Sequence, residues 1–277
     1  MTQPLDAAGT DLAARFLALH RPGQPLLLPN PWDIGSARVL ASLGFAALAT
    51  TSSGFAATLG LLDGSVTRDQ AIVHASIIVA STPLPVSADL ENGFADDAEG
   101  VAATVTAAIG AGLAGCSIED FSGRDDAPIY DASLAVERVA AAAEAAHSGS
   151  RRLVLTARAE NHIRGRDDLA DTIARLQRYA EAGADVLYAP GLRTAEDIRA
   201  VVTSVDRPVN VLAFGGVPPV AELAALGVAR VSVGGAFAFA AIDALAEAGR
   251  ELRESGTYGY LARTAAGGKV AVAAFQR

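Results

Sequence analysis

Lysine and cysteine are nearly absent from this chain of 277 residues, which contains one of each. The single cysteine, Cys116, excludes an internal disulfide and any cysteine-rich zinc site. The single lysine, Lys269, lies near the C-terminus beside two glycines, in a stretch that we expect to be a loop. A Schiff-base aldolase requires a desolvated lysine inside its pocket, so the sequence argues against that mechanism.

Positive charge and long apolar runs are also scarce. The formal net charge is −9 and the pI is near 4.9, which opposes a nucleic-acid partner, because a phosphate backbone is bound by clustered Lys and Arg. No run approaches the roughly 18 to 20 apolar residues that span a bilayer, and residues 1–10 lack the pattern of a signal peptide. We therefore expect a cytoplasmic protein with no nucleic-acid or membrane partner.

Short apolar runs rich in branched residues recur along the chain, with helical segments between them. This alternation is the sequence form of repeated β-α units on a parallel sheet. Strands are predicted at residues 26–29, 46–50, 85–89, 115–119, 153–158, 186–189, 209–212 and 231–233. Helices are predicted between them, including 96–111, 134–146, 169–182 and 236–254, with an extra N-terminal helix over 11–20.

Eight such units predict one α/β domain over residues 1–277, a (β/α)8 barrel whose floor the N-terminal helix covers. A glycine-ended joint between helix and strand recurs at Gly44, Gly112, Gly183 and Gly227, which supports the repeat. A doubly wound open sheet is the alternative. The lack of G-x-G-x-x-G after the first strand weakens it.

Acidic side chains follow the second, third and fourth predicted strands. Asp89 and Glu91 end the third, Glu119 ends the fourth, and Asp63 lies in the loop after the second. The carboxyl ends of parallel barrel strands open at one mouth, so these carboxylates are expected to meet there. They would repel one another unless a cation lay among them. Magnesium, which takes about six oxygens, fits that role; helix capping is the alternative for any one of these acids.

A basic residue ends the fifth predicted strand. Arg158 stands where an unpaired charge is unfavourable, so its guanidinium should bind either a substrate carboxylate or a neighbouring acid, Glu119 or Glu160. His162 follows in the same loop and is the only histidine near the predicted mouth. It is either a proton carrier or an ordinary surface residue.

Small hydroxyl residues follow the second predicted strand. Thr51, Ser52 and Ser53 offer a turn of backbone N–H groups of the kind that can cradle a carboxylate. The same residues are equally compatible with an ordinary polar loop, and their spacing alone does not distinguish the two.

Five motifs, in chain order and spanning about residues 26–249, resemble the isocitrate lyase/phosphoenolpyruvate mutase superfamily. They are Thr51-Ser52-Ser53-Gly54, Leu59-Gly60 with Asp63, Ser87-Ala88-Asp89-Leu90-Glu91-Asn92-Gly93-Phe94, Ile118-Glu119-Asp120 and Thr156-Ala157-Arg158-Ala159-Glu160. The resemblance implies a (β/α)8 barrel that binds magnesium, or manganese in its place. It also implies that a C–C or P–C bond is made or broken next to an α-oxo acid, through an enolate held on the metal.

The resemblance also implies roles for individual residues. Asp89 corresponds to the direct metal ligand, with Glu91, Glu119 and Asp63 near the metal, in contact with it directly or through water. The substrate carboxylate would be held by the backbone of Thr51, Ser52 and Ser53 and clamped by Arg158. The candidate catalytic residues are Arg158, Glu119, Asp63 and His162, the histidine being included for its position alone.

Members of the superfamily tend to exchange their last helix between subunits. The resemblance therefore implies a homodimer or homotetramer in which a C-terminal helix is exchanged. The apolar, alanine-rich segment 236–248 is compatible with that role.

The chain differs from members of the superfamily at the positions that determine their substrate specificity. Lyases carry Lys-Lys-Cys-Gly-His soon after the fourth strand, whereas residues 121–128 read Phe-Ser-Gly-Arg-Asp-Asp-Ala-Pro. The Lys and Asn of phosphonate-acting members are missing from the same loop, and Glu91 replaces the second acid of their Asp-x-Asp pair. Oxaloacetate-decarboxylating members have a histidine after strand 8, where residues 233–235 read Val-Gly-Gly.

We therefore expect a magnesium-dependent lyase or hydrolase that cleaves a C–C bond next to an α-oxo or hydroxy di- or tricarboxylic acid. The alternatives are P–C chemistry of the phosphonopyruvate hydrolase or mutase type, oxaloacetate decarboxylation, and a catalytically weak oxo-acid-binding barrel. Gly215-Gly216 and Gly234-Gly235, after strands 7 and 8, leave a phosphate-binding barrel as a further alternative.

Overall fold

The computed structural model, which describes residues 12–276, confirms the (β/α)8 barrel. Its strands are β1 (Leu26–Leu28), β2 (Leu48–Ala49), β3 (Val86–Asp89), β4 (Gly115–Glu119), β5 (Val154–Arg158), β6 (Val186–Tyr188), β7 (Val209–Leu212) and β8 (Arg230–Ser232). All pairs are parallel, in the order β1-β8-β7-β6-β5-β4-β3-β2. The amide of Ala49 donates to the carbonyl of Pro29 at 3.1 Å, which brings the two ends of the sheet together.

Helices lie between successive strands around the barrel, as the sequence predicts. They are α1 (Leu12–Ala18), α2 (Ile34–Ser42), α3 (Ser52–Thr58), α4 (Arg68–Ser81), α5 (Ala98–Gly110), α6 (Ala132–His147), α7 (Leu169–Glu181), α8 (Ala195–Ser204), α9 (Val220–Ala225), α10 (Ala236–Glu254) and α11 (Leu261–Phe275). Acidic caps start several of them, since Asp97 and Asp168 accept from the amides of Gly100 and Asp171.

The glycine-ended joints have the backbone that their sequence predicts. Gly44, Gly112, Gly183 and Gly227 have φ of 90°, 83°, 106° and 88°. Glycine adopts this left-handed conformation without the steric cost that a Cβ brings, and it lets each helix end and turn into the next strand. The same joint therefore precedes the four even-numbered strands, β2, β4, β6 and β8.

The C-terminal part of the chain corrects one expectation. Lys269 was expected in a loop, but it lies within α11, which contains Gly267 and Gly268 in its middle. This helix folds back and packs against α2 of the same chain. Packing against α2 thus overrides the low helix propensity of the two glycines.

The N-terminal helix was predicted over 11–20; α1 confirms a helix there but ends at Ala18, and Asp11 lies outside the described residues. Phe16 of α1 is fully buried beneath the barrel, in a cluster with Leu26, Leu28 and Val154. A Cβ at Gly115 would lie 2.8 Å from the Phe16 ring, so only glycine leaves room for that ring under β4. The helix therefore closes the barrel floor, as expected.

Within the described residues, no helix combines the length and the apolar character that crossing a membrane requires.

Replacing Phe16 with alanine should lower the free energy of unfolding by about 3–5 kcal/mol, because the ring fills space that the strands around it cannot close. Urea unfolding followed by far-UV circular dichroism measures this change. Phe16→Leu is the matched control and should cost about 1 kcal/mol. An alanine variant as stable as wild type would show that α1 is not part of the core.

Candidate active site

A cavity of about 290 Å³ lies within the barrel at the carboxyl ends of its strands. Each of the eight strands contributes a residue to its wall: Leu28, Ala49, Asp89, Ser117, Arg158, Tyr188, Asn210 and Ser232. A second, more open cleft of about 650 Å³ lies among the loops and includes Glu91 and Glu119 in its wall. The inner cavity occupies the end of the barrel where enzymes of this fold carry their active sites.

Arg158 lies at the centre of a cluster of carboxylates in this cavity. Its Nη1 is 3.0 Å from Asp89 Oδ1, and its Nη2 is 2.9 Å from Glu119 Oε2 and 2.8 Å from Glu160 Oε1. Its Nε also donates to Glu160 Oε1, at 2.9 Å. The guanidinium thus has three acidic partners, which are both of the predicted neighbours, Glu119 and Glu160, and also Asp89.

Arg164, which the sequence analysis did not single out, is a second cation of this cluster. Its Nε lies 3.4 Å from Glu160 Oε2 and its Nη2 lies 3.7 Å from Glu119 Oε1. Its guanidinium also stacks 3.4 Å from the centre of the Phe121 ring. Both arginines of the rim are therefore engaged with Glu119 and Glu160.

Asp120, next to Glu119, holds the backbone of the loop after β5 in place. Its carboxylate accepts hydrogen bonds from the amide of Glu160 at 2.8 Å, from the Tyr179 hydroxyl at 2.6 Å and from Arg175 Nη1 at 3.1 Å. Asp120 and Arg175 are only 3% and 5% exposed, so this pair is screened little by water. The network positions Glu160, and through it one partner of Arg158.

Asp89 is held by the loop that follows β2. Its Oδ2 accepts from the amide of Ser52 at 3.2 Å, and its Oδ1 accepts from the amide of Glu91 at 3.4 Å. Its own amide donates to Thr50 Oγ1 at 3.0 Å. These contacts, with the Arg158 ion pair, give the carboxylate a defined orientation toward the cavity.

Glu91 stands in a strained turn immediately after β3. Its φ is 49°, and that of Phe94 is 56°, values that cost a non-glycine residue free energy. Buried Arg138 of α6 supports the turn by donating to three main-chain carbonyls, those of Ala95 at 2.5 Å, Asp96 at 2.6 Å and Asn92. The sequence patterns did not identify Arg138, because its role depends on a loop 42 to 46 residues away.

The rim carries more negative than positive charge. Its carboxylates are Asp63, Asp89, Glu91, Glu119 and Glu160, and its guanidiniums are Arg158 and Arg164. Burial, followed by the charges of Asp89 and Asp63, raises the pKa of Glu91 to about 7. Burial is also the main cause that raises the pKa of Glu119, despite the opposing effect of Arg158.

The donors at the rim fit a hard divalent cation. They are carboxylate oxygens, the ligands that Mg²⁺ prefers, and the excess negative charge is what such an ion would neutralise. Across residues 12–276, no three acidic, histidine or cysteine side chains converge as a preformed metal site. Mg²⁺ commonly takes only one or two protein carboxylates, with water and substrate completing its shell, so Asp89 alone would be a sufficient anchor.

The three hydroxyl residues after β2 all line the cavity, as expected. Thr51 is the N-cap of α3 and accepts from the amide of Gly54 at 3.4 Å, while its hydroxyl is 3.2 Å from that of Ser53. The Ser52 amide donates to Asp89. In this arrangement the turn therefore holds a protein carboxylate. Asp63 also lines the cavity, from an exposed position in the loop before α4.

His162 was expected at the mouth, and the structure does not bring it there. It is absent from the described walls of the cavity and of the cleft, whereas its neighbours Ile163 and Arg164 line the cavity. Its Nδ1 lies 3.5 Å from Asp167 in the same loop. The reason is a short 3-10 turn over His162–Arg164, which directs successive side chains to different sides.

Several lining residues lie on the last three strands, where the sequence analysis proposed no site residues. They are Tyr188, Asn210, Arg230 and Ser232. Asn210 lies between two valines, and Arg230 and Ser232 flank Val231, so each polar side chain occupies the face opposite the apolar core. The alternation of side chains along a strand could have identified these polar residues as facing the cavity. Arg230 was missed because strand 8 was predicted to begin at residue 231, one residue too late.

Gly234 and Gly235, after β8, line the cavity and also make close contacts within the fold. The amides of Val233 and Gly234 both donate to Asn30 Oδ1 at 3.0 Å, and a Cβ at Gly235 would lie 2.6 Å from Ser53 Oγ. Gly215 and Gly216 are not among the residues that line the cavity. These contacts disfavour the phosphate-binding alternative, because its N–H groups must be free to face a ligand.

Comparison with known proteins gives consistent matches over most of the chain. A sequence profile of the phosphoenolpyruvate phosphomutase family matches residues 16–253. A 2-methylisocitrate lyase of Halalkalibacterium halodurans is 31% identical over 213 residues, which cover 75% of this chain and 70% of that protein.

Solved protein structures also match this fold over most of the chain. A protein of Burkholderia cenocepacia J2315, whose name gives only the general class, lyase or mutase, is 51% identical, with a TM-score of 0.90 over 93% of this chain and 94% of that one. Oxaloacetate acetylhydrolase, solved with its product oxalate, is 26% identical, with a TM-score of 0.81 over 90% of this chain and 89% of that one.

Removal of the Asp120 carboxylate should be strongly destabilising, because the buried Tyr179 hydroxyl and the Glu160 amide lose their acceptor and Arg175 keeps only Asp171 as an acidic partner. We expect Asp120→Ala to lower the free energy of unfolding by roughly 3–5 kcal/mol, measured by urea unfolding. Asp126→Ala, at an exposed position in the following loop, is the control and should stay within about 0.5 kcal/mol of wild type. Equal stability of the two variants would contradict the proposed role of this network.

Proposed function

The chain belongs to the phosphoenolpyruvate phosphomutase family, and we propose that it is a magnesium-dependent lyase that cleaves a C–C bond next to an α-oxo or α-hydroxy group of a small di- or tricarboxylic acid. The observation that carries this proposal is the position of Asp89. Its carboxylate lies in a polar cavity at the carboxyl ends of the strands, oriented by Ser52 and Arg158 and surrounded by further acids.

The relatives support this choice of substrate. One of them is named as a lyase of 2-methylisocitrate, and another as a hydrolase of oxaloacetate, solved with oxalate. Both names describe cleavage of small, multiply charged organic acids. A cavity of about 290 Å³ has room for an acid of that size.

Magnesium is proposed as the cofactor, with manganese as a substitute. Asp89 would hold the ion directly, and Glu91 and Glu119 would act directly or through water. The bound ion would act as a Lewis acid, drawing electrons toward a substrate oxygen as negative charge develops there. Burial is the main cause that raises the pKa values of Glu91 and Glu119, and a divalent cation bound at this rim would favour their charged forms.

Arg158 would act mainly by positioning the acids around it. Its guanidinium is shared by Asp89, Glu119 and Glu160, so it keeps these carboxylates close together despite their repulsion. Asp63, on the exposed loop, would add negative charge near Glu91. His162 has no role in this proposal because its side chain lies beside Asp167.

Replacing Asp89 with asparagine should abolish magnesium-dependent turnover, with a loss on the order of 100-fold or more, because the direct ligand and its charge are removed. Turnover of oxaloacetate, malate and 2-methylisocitrate is measured with Mg²⁺ and with a chelator, alongside Mg²⁺ binding by calorimetry. Asp126→Asn is the matched control. Normal turnover by Asp89→Asn would refute the metal assignment, and saturable acid binding without any product would favour the non-catalytic alternative.

We also propose that the protein is a homodimer or homotetramer assembled through its C-terminal helices. Apolar side chains are exposed along α10 and α11, among them Phe237, Phe239, Ile242, Leu245, Leu252, Leu261, Val270, Val272 and Phe275. So many exposed apolar side chains on two successive helices are typical of an interface.

A charge placed on that surface should separate the subunits. Leu245 is 73% exposed, so Leu245→Glu should leave the fold intact and yield a species of 28.1 kDa by light scattering after size exclusion. Val73→Glu, at an exposed position on α4, is the control and should retain the wild-type mass. A wild-type protein that is already monomeric would contradict the proposed assembly.

A further inference from the structure

One guanidinium in the cavity has no acidic partner. Arg230, the first residue of β8, is 4% exposed and contributes to the cavity wall. Its Nη1 lies 3.2 Å from Thr156 Oγ1 and 3.1 Å from His20 Nε2, while its buried Nε has no hydrogen-bond acceptor. Within residues 12–276, no carboxylate forms an ion pair with it.

The histidine beside Arg230 does not compensate its charge. His20 Nδ1 lies 2.9 Å from the carbonyl of Phe16, which identifies Nδ1 as the donor and leaves Nε2 to accept from Arg230. Burial and the charge of Arg230 lower the pKa of His20 to about 3. The imidazole is therefore neutral at physiological pH, and both contacts of Nη1 are with uncharged groups.

The other two guanidiniums of the cavity differ from Arg230 in this respect. Arg158 has three carboxylate partners and Arg164 has two. A substrate carboxylate approaching either of them would have to compete with acids already in place. Burial lowers the pKa of Arg230 to about 10, so it still carries its charge at neutral pH and is available to a new anion.

A buried charge without a counter-ion is unfavourable, and the structure offers two ways to account for it. Arg230 could be a structural donor to Thr156 and His20, or it could be completed by an anionic ligand. Two hydrogen bonds to neutral acceptors do not require a guanidinium, whereas a charged side chain in the wall of a polar cavity, with no acidic partner among the described residues, fits an anionic ligand. The second account also explains why the charge lies in the wall of a cavity.

We propose that Arg230 binds a carboxylate of the substrate at the floor of the cavity, distant from the reacting group at Asp89. The inference rests on the proposed function, and it narrows the substrate class to acids with a carboxylate at each end. One end would lie at the rim among Asp89 and its neighbours, and the other would pair with Arg230. Arg230 is thus the residue that selects dicarboxylates over monocarboxylates.

The test compares two acids that share a carbon skeleton, malate and 2-hydroxybutyrate, which differ by a carboxylate in place of a methyl group. Binding is measured by calorimetry in the presence of Mg²⁺. Wild type should bind malate about 10- to 100-fold more tightly, as expected for a charge-assisted hydrogen bond. Arg230→Met should remove that preference and leave 2-hydroxybutyrate binding within about 3-fold of wild type.

Thr156→Val is the matched control, because it removes an acceptor of Arg230 and keeps the guanidinium. It should retain the preference for malate. The melting temperature separates the two accounts further: removing an uncompensated buried charge is often neutral or stabilising, so Arg230→Met should melt at or above the wild-type temperature. A structural role predicts instead that both variants melt lower and lose affinity for both acids alike.

The inference is overturned if wild type binds both acids equally, or if Arg230→Met keeps the preference. If wild type still binds and turns over oxo acids in either case, the proposed lyase function stands and only the role of Arg230 is refuted. If wild type binds none of these acids, the role of Arg230 and the proposed function are both refuted. Should Arg230→Met not fold, Arg230→Lys, which keeps the charge but lacks the planar fork, replaces it. An unchanged malate preference in Arg230→Lys, with wild-type affinity, would then count against the proposal.

Discussion

The site depends on one interaction, the contact of the Arg158 guanidinium with three carboxylates from neighbouring strands and loops. Asp89 is the last residue of β3 and Glu119 is the last residue of β4. Glu160 lies in the loop after β5, two residues beyond Arg158, which ends that strand. In a barrel these positions converge whatever the side chains, so three acids there would repel one another in a medium of low dielectric. Arg158 makes the convergence tolerable, and its planar fork can serve three partners at once, which a lysine could not do as well.

Two further networks keep this cluster in place from outside the cavity. Asp120, buried with Arg175 and Tyr179, fixes the backbone at Glu160. Arg138 holds the carbonyls of the turn in which Glu91 adopts its unfavourable φ. Both networks join a loop of the mouth to an outer helix, α7 or α6, so the packing of the helices on the barrel determines where the acids of the rim can lie. The strain at Glu91 persists because the surrounding structure supports it.

The sequence predicted the barrel well because its signal is local. Each strand is a short apolar run, and the joints before β2, β4, β6 and β8 carry a glycine with a positive φ. The acids at the strand ends were predictable from the same register. What failed depended on contacts distant in sequence: the helix around Lys269 exists because it packs on α2, and the direction of His162 follows from a 3-10 turn. The unpartnered state of Arg230 could be recognised only once its surroundings, His20 and Thr156, were known.

The two ends of the cavity differ in charge, and this difference constrains what can bind. The rim has five carboxylates and two arginines that are already paired, while the floor has Arg230 with neutral neighbours. An anion meets repulsion at the rim unless a cation is bound there, and attraction at the floor. Binding of a divalent cation at the rim and of a dicarboxylate in the cavity should therefore favour each other, since each supplies charge that the other needs. No lysine lines the described cavity, and its positively charged side chains are all arginines, Arg158, Arg164 and Arg230. Arginine suits these positions because it stays protonated even when it is buried.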